Sequence, residues 1–214
     1  MSNIVYRYAI FEVYTILKKY NLEKFIFQIE KIIIDKVLED LKILSKKNPA
    51  IENHDVALFY HLGFKSILYY RIANALLSIN NDFELISKKI SEDSKILTGV
   101  EIHPKAYIEG GVVIDHGIGT VIGETTKIYK GTYILQNVIL GATGIANNSK
   151  NKRHPTIGKN VEIGANVKIL GNVKIGDNVF IGPDIIITED IPSNTVVYYK
   201  TQKLYKKIKD LNRC

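Results

Sequence analysis

The sequence contains a single cysteine, and that residue, Cys214, is the last of 214. An intrachain disulfide and a cysteine-rich zinc site are therefore excluded, and no cysteine lies within the chain to act as a nucleophile. No apolar run approaches the roughly 18 residues of a membrane-spanning helix, and the N-terminal stretch MSNIVYRYAIFEVY lacks the zones of a signal peptide. These absences predict a cytoplasmic protein, without a membrane partner, whose chemistry uses other side chains.

The composition is that of a folded globular chain, with 46% apolar and 24% charged residues. The formal charge of +7 suits a polyphosphorylated ligand. Part of that charge lies in the segment 200–213, where Leu204, Ile208 and Leu211 recur at helical spacing, which predicts a basic helical tail over 196–214. No nucleic-acid-binding motif accompanies the charge, so a nucleic-acid partner is not expected.

The first half of the chain has the apolar period of helices, which predicts a helical domain over residues 1–98. Asn48-Pro49 interrupts the pattern, because proline disfavours helical geometry in the residue before it. The two apolar stripes on either side of this break are Ile26, Ile29, Ile33, Val37, Leu41 and Leu44, and then Ala57, Tyr60, Phe64, Leu68, Ile72 and Ala75.

After Gly99 the apolar period changes to six, which is typical of a solenoid. The repeating aliphatic positions are Ile102, Ile108, Ile114, Ile122, Ile128, Ile134, Leu140, Ile157, Ile163, Ile169, Ile175 and Ile181. We interpret three short strands as one triangular turn, with one aliphatic side chain of each strand pointing inward and small residues such as Gly158, Gly164 and Gly176 at the corners. A parallel β-helix over 99–195 follows, which makes the chain an α+β protein.

Two departures from the six-residue register mark candidate site positions, because insertions in a solenoid tend to fall on one binding face. The step between Ile114 and Ile122 is eight residues, and the step between Leu140 and Ile157 is seventeen. The longer step places a polar excursion at about residues 142–155.

Histidines and acids cluster at these departures. His116 follows Asp115 at the first one and precedes Glu124, whereas His154 follows Arg153 at the end of the excursion. Glu101 and His103 lie on one strand face, because side chains alternate along a strand. Acyl transfer from a thioester to a hydroxyl needs a base, a carboxylate that orients it and donors for the oxyanion, and these residues could supply them.

The motifs DHGIG, IGET, LGATG and RHP resemble the catalytic domain of bacterial and plant serine acetyltransferases over residues 99–192. The stretch NPAIENHDVALFYHLGFKSILYYRIANALL resembles the last helices of that family's N-terminal domain. The resemblance implies a left-handed β-helix of hexapeptide repeats, acetyl-CoA as co-substrate without a metal, and a homotrimer or dimer of trimers with sites between subunits.

The resemblance also implies roles for individual residues. His116 matches the general base, Glu101 stands where the family has the aspartate that orients it, and Asn48 stands where an aspartate meets the substrate amine. Asp115 and Glu124 match residues of the serine pocket, and Arg153 and His154 match the pair that holds the substrate carboxylate and lines the site. The residues matched to the strip along the pantetheine arm are Gly141, Ala142, Thr143 and Ala165, and Pro183 replaces a small residue there.

The expected reaction is the transfer of the acetyl group to the hydroxyl of L-serine, which gives O-acetylserine for cysteine biosynthesis. Asn48 lacks the negative charge that would attract an ammonium group, so a CoA-dependent O-acyltransferase with another hydroxy acceptor is an alternative. A catalytically weak homologue is a third interpretation, against which the retention of the whole residue set argues. Cys214 replaces the terminal isoleucine through which the family docks into cysteine synthase, which argues against that partnership.

Overall fold

A computed structural model describes residues 3–47, 60–146 and 151–199. In the first half of this part the chain forms helices joined by two short 3-10 turns at Glu23–Phe25 and Asn81–Phe83. The four α-helices are α1 (Asn3–Lys19), α2 (Ile26–Lys47), α3 (Leu62–Ile79) and α4 (Glu84–Thr98). Within the described ranges, none of these helices has the length and apolarity that crossing a membrane requires.

The described residues of the second half form fourteen short parallel strands in three sheets. Sheet A contains β1 (Glu101–Ile102), β4 (Val121–Ile122), β7 (Ile139–Gly141), β10 (Lys168–Leu170) and β13 (Ile186–Ile187). Sheet B contains β2 (Tyr107–Ile108), β5 (Lys127–Ile128), β8 (Thr156–Ile157) and β11 (Lys174–Ile175). Sheet C contains β3 (Val113–Ile114), β6 (Tyr133–Ile134), β9 (Glu162–Ile163), β12 (Phe180–Ile181) and β14 (Val196–Val197).

The strands visit the three sheets in strict rotation, so the chain winds as a triangular coil. Within sheet A the inward residues stack directly on one another, with Ile122 beside Leu140, Leu140 beside Ile169 and Ile169 beside Ile187. All are buried, as are the other aliphatic residues of the six-residue repeat. The periodicity therefore predicted both the strands and their inward faces correctly.

The corners are built differently from the sequence-based expectation. Gly158, Gly164 and Gly176 do not adopt left-handed backbone; a Cβ on Gly164 would lie 2.8 Å from the backbone of the next turn, so glycine there allows close stacking. The left-handed corner positions are instead taken by His116, by other glycines such as Gly131, and by asparagine and aspartate, which also tolerate that conformation. Their side chains form ladders such as Asn166 to Asp184, at 2.8 Å.

The helical stripes are confirmed at the described positions except for Ile26, which is only half-buried, and Tyr60. In α2 the positions from Ile29 to Leu44 are buried, and in α3 the positions from Phe64 to Ala75 are buried. Tyr60 is 75% exposed because it precedes α3 and does not share the helix's buried face. Ala57, Asn48 and residues 200–214 of the predicted tail lie outside the described residues. The tail was predicted to begin at residue 196, but Val196–Val197 form β14 beside β12, so the coil extends past the predicted boundary.

Polar groups buried between the helices and the first turn of the coil join the two parts. The Arg71 guanidinium in α3 donates two hydrogen bonds to Asp40 in α2, at 2.6 and 2.8 Å. Asp40 Oδ1 also accepts the backbone N–H groups of Gly111 and Val112, at 2.8 and 3.1 Å, and Arg71 donates to the Glu109 carbonyl at 2.8 Å. This pair therefore fixes the coil against two helices at once.

We expect Asp40→Ala to lower the free energy of unfolding by about 3–5 kcal/mol, because it leaves a buried guanidinium and two amides without their acceptor. The neighbouring variant Glu39→Ala removes a carboxylate that pairs with Lys130 at the surface, so little change is expected. Urea unfolding at one protein concentration compares the two. Equal losses in both variants would contradict the buried pair's role.

Candidate active site

His116 lies on a tight left-handed turn at the first departure from the repeat. His116 has φ 58° and Gly117 has φ 40°, a conformation that suits glycine and that few other residues adopt. A Cβ on Gly117 would lie 2.8 Å from both Ile114 and Val100, so glycine at this position allows the turn to pack. The turn leaves the His116 side chain 74% exposed at the corner between sheets C and A.

The carboxylate of Asp115 is the centre of what we call the His116 corner, made of His61, Asp115, His116 and Tyr133. Asp115 Oδ1 accepts the backbone N–H of His116 and lies 3.0 Å from His61 Nε2. Asp115 Oδ2 accepts the Tyr133 hydroxyl at 2.6 Å and lies 4.0 Å from His116 Nε2. A buried carboxylate therefore faces an exposed imidazole.

The surroundings of Asp115 favour its ionised form. Burial alone would raise the pKa of Asp115, but the hydrogen bonds from Tyr133 and His61 and the charge of His116 outweigh burial and lower it. Burial and the same hydrogen bond raise the pKa of Tyr133, so this phenol stays protonated. The corner thus holds a negative charge beside the ring of His116 at neutral pH.

A second group, the His154 corner, consists of Glu124, Thr125, Lys152, Arg153 and His154. The Thr125 hydroxyl accepts the backbone N–H groups of Arg153 and His154, both at 3.0 Å, and lies 2.9 Å from His154 Nδ1. The Lys152 ammonium donates to the carbonyls of Thr125, His154 and Pro155. These contacts fix the end of the excursion against the strand connection that precedes β5.

The hydrogen bonds at His154 identify its tautomer. Nδ1 accepts the Thr125 backbone N–H at 3.2 Å, so the ring proton lies on Nε2. Burial, with help from the charges of Arg153 and Lys152, lowers the pKa of His154 to about 4. The ring is therefore neutral at physiological pH and presents an N–H donor at Nε2.

Glu124 and Arg153 form an ion pair with 2.5 Å between Oε2 and NH2. The hydrogen bond from Arg153 lowers the pKa of Glu124, while burial lowers the pKa of the nearby His103, whose Nδ1 accepts the Lys105 backbone N–H. The His154 corner therefore combines an ionised acid, a guanidinium and a neutral imidazole, with the imidazole of His103 nearby.

The two corners lie at different edges of the coil. Asp115 and His116 connect sheet C to sheet A, whereas Glu124 connects sheet A to sheet B and Arg153-His154 precedes sheet B. Sheet A thus separates them within one chain. No ion pair or hydrogen bond among the described residues joins His116 to Arg153 or His154.

Glu101 begins β1 on the outer face of sheet A, between the two corners. Its carboxylate forms an ion pair with Lys95 of α4 at 2.5 Å. Among the described ion pairs, none joins Glu101 to His116. Its role as the orienting carboxylate stays a prediction.

The residues assigned to the coenzyme arm also flank sheet A. Gly141, Ala142 and Thr143 leave its β7 strand, and the Thr143 methyl packs against Gly171, where a Cβ would lie 2.9 Å away. On the opposite edge the Asp184 N–H donates to the Ala165 carbonyl at 2.9 Å, and Pro183 is exposed. Small side chains thus keep both edges of this sheet accessible.

Comparisons with known proteins agree with this architecture. The family model described as bacterial transferase hexapeptide (six repeats) matches residues 154–184. Serine acetyltransferase from Synechocystis is 39% identical over 128 residues, which cover 60% of this chain and 49% of that protein. Serine acetyltransferase from Buchnera aphidicola is 38% identical over 194 residues, which cover 91% of this chain and 73% of that protein.

The chain belongs to the serine acetyltransferase family.

The crystal structure of Neisseria gonorrhoeae serine acetyltransferase in complex with serine matches 95% of this chain and 85% of its own, with a TM-score of 0.78 and 28% identity. The helical domain followed by a left-handed β-helix, predicted from the sequence, is thus confirmed. The matched segment is about half of the Synechocystis serine acetyltransferase and about three quarters of the Buchnera one.

Four residues that complete the two corners of this chain were not assigned from the sequence: His61, Thr125, Tyr133 and Lys152. His61 reaches Asp115 from the helical domain, 54 positions away in the chain, and Tyr133 reaches it from the next turn of the coil. The repeat places Tyr133 on an outward strand position, and this was the one feature of the sequence that could have indicated a part in the site. Nothing local to His61 pointed to Asp115.

Thr125 and Thr126 offer a matched pair of substitutions. We expect Thr125→Val to lower the free energy of unfolding by about 1–3 kcal/mol, because two backbone N–H groups lose their acceptor and His154 Nδ1 loses one of its two contacts. Thr126 Oγ1 is buried with no partner among the described residues, so Thr126→Val should be neutral or stabilising. Chemical denaturation at equal protein concentration tests this, and the opposite order would refute the role of Thr125.

Proposed function

We propose that this chain transfers the acetyl group of acetyl-CoA to the hydroxyl of L-serine, giving O-acetylserine and CoA for cysteine biosynthesis. The observation that carries the proposal is the exposed His116 ring, held on a strained turn beside the ionised Asp115, in a chain of the serine acetyltransferase family. Non-glycine residues in left-handed backbone are often found at functional sites.

His116 acts as general base in this proposal. An imidazole nitrogen removes the proton of the serine hydroxyl while the oxygen attacks the thioester carbonyl. The tetrahedral intermediate collapses by breaking the carbon–sulfur bond, and the imidazolium returns the proton to the CoA thiolate. Asp115, whose Oδ2 lies 4.0 Å from His116 Nε2, stabilises the imidazolium that forms in between. No acyl-enzyme is needed.

The His154 corner suits recognition of the substrate carboxylate. Arg153 supplies a guanidinium, and the His154 tautomer presents its Nε2–H as a donor. A ring whose pKa is about 4 is a poor base for this step but a stable neutral donor. We therefore assign His154 to orientation of the acceptor and His116 to proton transfer.

The coenzyme is expected to lie along sheet A, where Gly141–Thr143 on one edge and Ala165 with Pro183 on the other flank its outer face. Small side chains allow a narrow pantetheine arm to approach the backbone. The formal charge of +7 favours a ligand with three phosphate groups. Acetyl-CoA would supply the activated acyl group there, and no metal is required.

We further propose that each active site is shared by two copies of the chain in a homotrimer or a dimer of trimers. Sheet A separates the two corners within one chain, so a proton acceptor from one copy meets the carboxylate-binding pair of another. We also place the protein in the cytoplasm, consistent with its single cysteine.

We expect L-serine to stimulate thiol release from acetyl-CoA, and His116→Ala to reduce kcat by about 10²–10⁴-fold. Arg153→Ala should mainly raise the KM for serine, because it removes a carboxylate contact. The measurement is thiol release with L-serine and with a panel of hydroxy acceptors. Release with another acceptor alone would replace serine as the substrate, and no release with any acceptor would support a catalytically weak homologue.

Mixing two impaired variants, assayed at a serine concentration well below the raised KM of Arg153→Ala, tests the shared site. His116→Ala disables one corner and Arg153→Ala disables the other, so copies unfolded together and refolded as mixed oligomers should regain activity at about a quarter of their sites. Each variant refolded alone is the control. If the mixture stays as inactive as its components, the corners do not come from different copies.

A further inference from the structure

His61 lies at the boundary between the helical domain and the coil, immediately before α3. Its Nδ1 accepts the backbone N–H of Phe64 at 3.3 Å, so His61 caps the N-terminus of that helix. Because Nδ1 is an acceptor, the ring proton of the neutral form lies on Nε2. That N–H points at Asp115 Oδ1, 3.0 Å away.

The bond from His61 helps to fix the orientation of the Asp115 carboxylate. The same Oδ1 atom accepts the backbone N–H of His116 at 3.0 Å, and Oδ2 accepts the Tyr133 hydroxyl at 2.6 Å. Bonds to both oxygens fix the rotation of the carboxylate about its Cβ–Cγ bond. Oδ2 is therefore held on the side of His116 Nε2.

The start of α3 is itself fixed against the coil, so His61 is a rigid support. A Cβ on Gly63 would lie 2.0 Å from the carbonyl oxygen of Ile114, the residue before Asp115, so only glycine allows this approach. Further along α3, Tyr70 donates to the Ala106 carbonyl at 2.6 Å and Asn74 donates to the Pro104 carbonyl at 2.8 Å.

We propose that His61 is a positioning residue that acts through Asp115. By capping α3 with one ring nitrogen and holding Asp115 with the other, it makes the orientation of the carboxylate beside His116 depend on the docking of the helical domain. The inference rests on the proposed function to the extent that Asp115 and His116 act in proton transfer. It assigns the helical domain a direct part in the chemistry of the coil.

His61→Asn separates the two contacts of the ring. Asparagine is a good helix cap, but its amide is too short to reach Asp115. We expect this variant to lose about tenfold in kcat while the KM for acetyl-CoA stays unchanged. Tyr133→Phe removes the hydrogen bond to Asp115 Oδ2 and should also lower kcat.

Asn80→Ala is the matched control, because it removes a side-chain cap that accepts the Asp82 N–H away from both corners. Its kcat should equal that of the native protein. Unchanged kcat in His61→Asn would overturn the proposal and leave His61 a purely structural cap.

A spectroscopic measurement makes the test independent of turnover. In protein with isotope-labelled histidine, the NMR signal of the His116 ring at fixed pH should shift in His61→Asn and Tyr133→Phe but not in Asn80→Ala. A signal that stays in place in His61→Asn refutes the positioning role even if serine is a substrate. If the native protein shows no turnover, the proposed function fails while this shift still decides the role of His61.

Discussion

The column of aliphatic side chains inside the triangular coil is the constraint on which the site depends. Each turn must place one such side chain inward from each of three short strands, and the strands must stack in register on the turn below. The faces of the coil therefore tolerate little irregularity. Extra residues can enter only between strands, and both departures from the repeat accordingly lie at corners, where His116 and His154 are found.

The corners gain their chemistry from groups that the repeat does not specify. At the His116 corner a left-handed turn exposes one imidazole, and a buried carboxylate beside it is kept ionised by a phenol and a second imidazole. At the His154 corner one threonine hydroxyl organises the end of the excursion, and burial keeps the imidazole neutral. Two histidines of one chain thus lie in different surroundings, one exposed beside a carboxylate and one buried among hydrogen-bond partners.

The helical domain supports this chemistry as well as packing against the coil. Asp40 and Arg71 fix the first turn through backbone groups of Glu109, Gly111 and Val112. His61 adds a further contact between the helical domain and the coil, to the carboxylate of Asp115. Because buried polar groups are costly when unpaired, these bonds permit few alternative placements of the helices on the coil. Domain docking and carboxylate orientation are consequently linked.

Much of the fold and of the candidate site could be predicted because the signals are local. The change from helical to six-residue period located both halves, the register breaks located both corners, and His116, Asp115, Glu124, Arg153 and His154 were singled out from motifs around those breaks. The sequence indicated glycines at the corners but not why glycine is needed there. A side chain on Gly164 would collide with the backbone of the next turn, and no local pattern reveals that contact.

The sequence by itself determined which residues point inward, where the coil is interrupted and which side chains stand at the interruptions, since each is a matter of spacing along the chain. Only the tertiary structure decided that Asp115 is held by His61 and Tyr133, that Glu101 pairs with Lys95, and that sheet A separates His116 from His154. Those facts depend on contacts between distant segments, whose geometry is set by how the helices dock and how successive turns stack.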